Sequence, residues 1–152
     1  MTSAGWTDIF IAKYTSNGEH LWSKKFGGSS SDIGSSVSVD INNNILVAGR
    51  FAGSVDFGGG ILTSAGGFDI FIAKYASDGS HIWSRRLGGV NSDYVNSSAV
   101  DMNGNLVIAG YFTGSADFGG GQVTSAGDRD LFVAKYSSKG SHLWSKTLRS
   151  TG

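Results

Sequence analysis

The chain of 152 residues sets twelve Lys and Arg against twelve Asp and Glu, so its summed charge gives no reason to expect nucleic acid or an anionic membrane as partner. The absence of cysteine excludes disulfides, thiolate metal sites and cysteine nucleophiles, and leaves the compartment open. Charged residues make up only 16%, Gly reaches 24 and Pro is absent, a profile that suits short strands joined by glycine turns. Residues 1–8 carry neither the basic nor the apolar region of a signal peptide, and no apolar run approaches the roughly 18 residues that would suggest a membrane span.

Taken in order, the chain reads as one unit used repeatedly. Asp8, Lys13 and Trp22 return as Asp69, Lys74 and Trp83 and again as Asp130, Lys135 and Trp144, always 61 residues on, which is the signature of a repeat architecture. Repeats span residues 2–62 and 63–123, with a partial third at 124–152. Residues 8–14 and 20–26 are β-rich runs flanking Ser16-Asn17-Gly18, and Asn-Gly supplies the positive φ angles of a tight hairpin. The copies Ser77-Asp78-Gly79 and Ser138-Lys139-Gly140 predict the same turn. A second hairpin is predicted from residues 35–40 and 44–51, repeated at 96–101 and 105–112. The glycine-rich stretch 52–68, with Asp56-Phe57-Gly58-Gly59-Gly60, reads as an ordered loop.

Side-chain alternation selects the architecture. Residues 8–14 put Ile9 and Ile11 on one face and Phe10, Ala12 and Tyr14 on the other. Residues 45–51 are likewise apolar on both faces, so the sheet has to be covered on both sides. Four antiparallel strands per 61 residues, covered on both faces, are expected to form the blade of an all-β propeller. Ser36-Val37-Ser38-Val39 alternates small with branched residues, as suits an innermost strand.

The runs Asp-[Ile/Leu]-Phe-[Ile/Val]-Ala-Lys-Tyr, Gly-x-His-[Leu/Ile]-Trp-Ser, Val-Asp-x-Asn-x-Asn and Ala-Gly-x-Phe-x-Gly-Ser-x-Asp-Phe-Gly-Gly-Gly resemble the bacterial SBBP β-propeller repeat over almost the whole chain. The Val-Asp-x-x-Gly-Asn hairpin also resembles that of NHL propellers. The resemblance implies a propeller usually housed in larger cell-surface or secreted bacterial proteins, with no established common activity. By the NHL analogy blades run over 35–87 and 96–148, leaving a half-blade at 8–26, with residues 69–75 third and 81–87 outermost. Propellers close with roughly 4 to 8 blades, so the end blades are expected to expose faces on the order of several hundred Å². Self-association into a ring, or a longer parent chain, follows as the expectation. Two copies do not close by simple completion, since each brings a surplus outer hairpin and no spare inner one. A larger ring, a rearranged half-blade or a mobile N-terminal hairpin are the alternatives. Leu148-Arg149-Ser150 breaks the Gly27-Gly28 and Gly88-Gly89 pattern, as at a capped or truncated end.

Candidate chemistry is weighed against structural roles. Asp40, Asn42 and Asn44, with Asp101, Asn103 and Asn105, have the oxygen spacing of a calcium loop without its distal carboxylate, and are read as Asx-stabilised hairpins. His20, His81 and His142 share one repeat position, from which blades diverge, and are read as solvated strand ends rather than a metal site. Trp22, Trp83 and Trp144 are the candidate ligand-binding residues, either sugar platforms or anchors between blades. Trp6, whose repeat equivalents are Gly67 and Asp128, is the fourth, on a free loop or at a partner contact. The recurrent carboxylates Asp8, Asp69, Asp130, Asp32, Asp93, Asp56 and Asp117 suit turn and cap roles better than paired acid/base work. Gly58-Gly59-Gly60 lacks the Lys and helix of a phosphate loop, and no Ser/His/Asp triad is suggested. The reading is a non-enzymatic scaffold or binding module without cofactor, whose partner is itself, with an unknown protein or glycan beside it. A lectin-like propeller with one site per blade is the alternative, and a lyase or glycosidase comes third.

Overall fold

A computed structural model describes residues 2–148, so Arg149 and Ser150 of the interrupted glycine pattern lie outside the described residues. All fourteen elements among the described residues are strands: β1 (Ile9–Tyr14), β2 (His20–Phe26), β3 (Asp32–Val39), β4 (Ile45–Phe51), β5 (Ser54–Asp56), β6 (Ile61–Thr63), β7 (Asp69–Tyr75), β8 (His81–Gly89), β9 (Tyr94–Val100), β10 (Leu106–Phe112), β11 (Ser115–Asp117), β12 (Gln122–Thr124), β13 (Asp130–Tyr136) and β14 (His142–Leu148). Antiparallel pairing gives the order β3-β4-β7-β8 in one sheet and β9-β10-β13-β14 in the next, with β1-β2 standing as a two-stranded hairpin before them. The architecture is all-β, and its open sheets are those of a partial propeller.

Alternation is what stacks the sheets. In β7, Phe71, Ala73 and Tyr75 pack with Ile9 and Phe26 of the N-terminal hairpin, in a core that also holds Val47 and Phe51. The intervening Ile70 and Ile72, with Leu46 and Ala48 of β4, join Leu106, Ile108, Phe132 and Tyr136 of the following sheet in a second core. One strand of period two therefore feeds two cores, one on each side.

The stretch 52–68 differs from the expected loop. It contains the short hairpin β5-β6, and its copy β11-β12 adds to the end of β8, with Ala116 opposite Gly89 and Asp117 opposite Gly88. Strands of three residues are too short to show a period, while their caps are visible once folded. Asp56 accepts from the amides of Gly58 and Gly60 at 2.7 and 3.1 Å, and Asp117 from Gly119 and Gly121 likewise. The turn residue Phe57 is buried, stacks on Phe71 at 4.4 Å between centroids, and its carbonyl accepts the Tyr75 hydroxyl at 2.9 Å. The hairpin is thus a plug for the blade's rim. The inner strands also start earlier than expected, at Asp32 and Tyr94.

Where β4 crosses the centre of its sheet, Gly49 lies against the Ile33 carbonyl and the Phe71 ring, leaving no room for a Cβ. Gly49→Ala is expected to lower stability by about 1–3 kcal/mol through overpacking, read as a lower urea midpoint with unchanged m.

Candidate functional site

The residues that recur most regularly meet at the junctions between sheets. Cross-strand register sets Lys13 opposite Trp22, Lys74 opposite Trp83 and Lys135 opposite Trp144, so each pair projects from one face as a two-pronged donor. At the first junction Lys13 Nζ and Trp22 Nε1 both donate to the carbonyl of Ser77, at 2.7 and 3.1 Å. At the second, Lys74 Nζ and Trp83 Nε1 donate to the carbonyl of Ser138, at 3.3 and 3.1 Å. The turn glycines Gly79 and Gly140 lie directly on the two indoles, at φ 87° and 79°. Glycine serves there twice, for the positive φ and for the flat contact.

The lysine is also the link back to the inner hairpin. Asp40 Oδ1 accepts from the amides of Asn42 and Asn44, both at 2.9 Å, which closes an Asx turn. Its Oδ2 accepts from Asn44 Nδ2 at 2.9 Å and from Lys74 Nζ at 2.8 Å, in a nearly fully buried ion pair. Burial alone would raise the Asp40 carboxyl; the bonds from Lys74 and Asn44 and the Lys74 charge outweigh it and hold the group down at about 2. Asp101 repeats the arrangement with Lys135 at 2.8 Å, and its pKa is likewise lowered, chiefly by the Lys135 bond.

Trp22 and Trp83 therefore sit at blade junctions with their indole N–H groups engaged. Trp144 and Lys135 form the third fork, on the open face of the last sheet, where the Trp144 side is 41% exposed. That face repeats a buried one: Leu131 and Val133 stand where Ile70 and Ile72 do, and Leu131 is 55% exposed against 0% for Ile70. At the other end Phe10 and Tyr14, copies of the buried Phe71 and Tyr75, are exposed on β1. Trp6 is 84% exposed and lies outside the strands.

A family model described as a β-propeller repeat, SBBP, matches residues 21–50. The chain carries a β-propeller repeat. It is 30% identical over 163 residues to an uncharacterized WD repeat-containing protein of Acanthamoeba polyphaga mimivirus, an alignment covering 87% of this chain and 12% of that protein. It is 27% identical over 141 residues to the regulatory protein FlaEY of Caulobacter vibrioides, covering 90% of this chain and 15% of that protein. The chain thus spans a small part of the length of the curated relatives it matches.

The remaining candidates of this propeller repeat are committed to structure. His81 and His142 are strand starts, but half-buried rather than fully solvated: they pack over Gly58-Gly59 and Gly119-Gly120 and meet Tyr75 and Tyr136 edge-on at 5.8 Å, because the rim hairpin reaches over them. His20 is exposed. A cleft of about 660 Å³ at the outer rim is lined by Arg85, Arg86, Asp117, Tyr136 and His142. Its Arg86 is held by Asp69 at 2.6 Å, Asp117 caps its own turn, and the Tyr136 hydroxyl donates to the Phe118 carbonyl.

Two carboxylates do meet, out of sight of solvent. Asp69 and Asp93 are both fully buried and both crowd the space a Gly88 side chain would take, with Asp93 accepting from the Gly89 amide at 2.7 Å. Burial first, and the neighbouring Asp69 charge, push Asp93 up to about 6 against the bonds from Gly89 and Thr113. A carboxyl raised in the fold binds its proton more tightly there than in the unfolded chain. Its cost is therefore absent below about pH 4 and complete above about pH 6, at roughly 2–3 kcal/mol. Asp40 has the opposite sign and loses its contribution as pH falls from about 4 towards 2. Urea midpoints measured from pH 4 to 7 are expected to fall in the native chain and to fall by less in Asp93→Asn, where the buried Asp32, raised in the same direction, remains.

The forks make a second comparison possible. Lys74→Met leaves Asp40 charged and buried without its partner and is expected to cost about 3–5 kcal/mol, whereas Lys135→Met, in the half-exposed copy, costs about 1 kcal/mol or less. Denaturant unfolding of both variants checks the difference.

Proposed function

We propose that this propeller-repeat chain is a non-enzymatic assembly and binding module whose end faces dock onto matching repeats, completing a ring with further copies of itself. One observation carries the reading: the open face of the last sheet reproduces, position for position, the face that the preceding sheet buries. Val107, Ala109, Leu131, Val133, Lys135 and Trp144 stand where Leu46, Ala48, Ile70, Ile72, Lys74 and Trp83 are covered. Its complement sits at the other end of the same chain. The carbonyl of Ser16 is the repeat copy of the Ser77 and Ser138 acceptors, and Phe10 and Tyr14 are copies of the aromatic residues that meet such a face. Docking the tail of one copy on the head of another buries Leu131 and Trp144 and gives the Lys135–Trp144 fork its acceptor.

The relatives support a role in protein binding, one being named for WD repeats and the other as a regulatory protein. The full assembly in that reading contains more repeats than this chain. A sugar-stacking role for Trp22 and Trp83 competes with blade docking for the same indoles, so the binding residues we favour are Trp144 and Lys135.

Light scattering of the chain at high micromolar concentration is the test. A mass that is a multiple of 15.8 kDa is expected, falling to that of one chain in the Leu131→Glu, Trp144→Glu variant with an unchanged circular dichroism spectrum. A folded native chain that runs as a monomer throughout would sink the self-assembly reading.

A further inference from the structure

At the first junction, the place filled elsewhere by an inner pair of strands is open. β4 runs along the inner edge of β7, from Ile45 opposite Tyr75 to Phe51 opposite Asp69, and also packs on β9 of the next sheet. β10 pairs with β13 in the same register. Among the described residues the corresponding strand β1 pairs only with β2, so its inner edge presents backbone N–H and C=O groups to no strand there. Between this edge and β3 runs a groove of about 370 Å³, lined by Phe10 and Ala12 on one side and by Ser36, Val37 and Val47 on the other. Phe10 is 57% exposed where Phe71 and Phe132 are 1%, and Val37 and Val39 of β3 are 62% and 59% exposed. The wall is apolar and its free edge is a strand template.

We propose that this groove takes a two-stranded β-hairpin from a further repeat, whose second strand adds antiparallel to β1 while its first lies against β3. The inference deepens the assembly reading above and rests on its premise of an incomplete ring. Main-chain hydrogen bonds supply the affinity of such strand addition and the alternate side chains its specificity. The two filled copies define the occupant. Opposite Phe10 it carries glycine, as Gly49 and Gly110 stand opposite Phe71 and Phe132. Opposite Ala12 it carries a branched aliphatic residue, as Val47 and Ile108 do, and opposite Tyr14 an aliphatic one, as Ile45 and Leu106 do. An inner hairpin already paired inside a second copy is not free to serve. The head-to-tail docking of whole chains leaves this groove open, since a copy's face covers the outer strands β1 and β2 and brings no inner pair.

The test is amide hydrogen exchange across residues 9–14 of the full chain, alone, with a synthetic peptide of residues 32–51, and with residues 32–62 fused ahead of Thr2. In the fusion, and at saturating peptide, the β1 amides that point to the free edge are expected to slow by at least about tenfold. β13 amides should not change, and Val in place of the glycine opposite Phe10 should abolish the slowing. Unchanged β1 exchange in both arms overturns the proposal. So does slowing in the chain alone that grows with its concentration and persists in the Leu131→Glu, Trp144→Glu variant, which puts a second copy in the groove. A monomeric mass in scattering would sink the self-assembly reading and leave this test intact, so the two failures are distinguishable.

Discussion

A sheet that is apolar on both faces has to be covered twice, and the rest of this structure follows from that demand. β7 shows it most directly, since all seven of its residues are buried. Its copy β13 has the same pattern but only one neighbour, and there buried and partly open positions alternate along the strand. β1, which has neither an inner strand nor a sheet on its other side among the described residues, keeps only Ile9 fully covered. Three nearly identical sequences thus reach three degrees of burial, which makes position in the stack the variable that sets their exposure. Burying a side chain of the size of Leu or Phe is worth about 1.5–3 kcal/mol. Several such residues left open at each end amount to a substantial drive toward docking.

Apolar burial has no direction of its own, so polar groups set the geometry between sheets. The Lys74 ammonium joins Asp40, two strands inward in its own sheet, to the Ser138 carbonyl of the next. A buried ion pair is a poor source of net stability, because desolvation consumes most of the attraction. Its value here lies in spacing: with Trp83 on the same carbonyl, the fork admits one height and one rotation of the neighbouring turn. Ser36 and Ser38 do the same near the axis, where their hydroxyls engage Ser98 at 2.8 and 3.2 Å.

The repeat period, the hairpins and the four-stranded blade were legible in the sequence because each rests on a strong local rule: Asn-Gly and Asp-Gly turns, alternation, and a constant offset. The short rim strands were not, since three residues carry no period and their identity depends on Gly88-Gly89 offering an edge. The fork was half legible. Trp22 and Trp83 were singled out as anchors or sugar platforms, but Lys74 gave no sign of a partner, because Ser138 lies 64 residues away. The serine in the turn looked like ordinary turn chemistry, and only its backbone oxygen takes part. The meeting of Asp69 with Asp93 was hidden for a similar reason: it arises where one blade hands over to the next, not within a motif.

The two open faces differ, and in the proposed assembly that difference selects how copies would associate. A two-fold dimer sets like against like. Pairing the C-terminal face with itself would bring Lys135 and Trp144 of one copy toward Lys135 and Trp144 of the other, leaving two indole N–H groups with no carbonyl to receive them and opposing two ammonium groups that are each already paired with Asp101. Each unsatisfied donor shut away from water costs about 1–3 kcal/mol, which offsets much of the gain from covering Leu131 and Val133. Head-to-tail contact meets no such penalty, since the Ser16 turn brings the acceptor and Phe10 and Tyr14 bring the aromatic surface that the buried junctions already use. Heterologous contacts of this kind either close into a ring or propagate, and in a propeller the wedge angle between blades, fixed by the forks and the inner serines, turns successive sheets about a common axis.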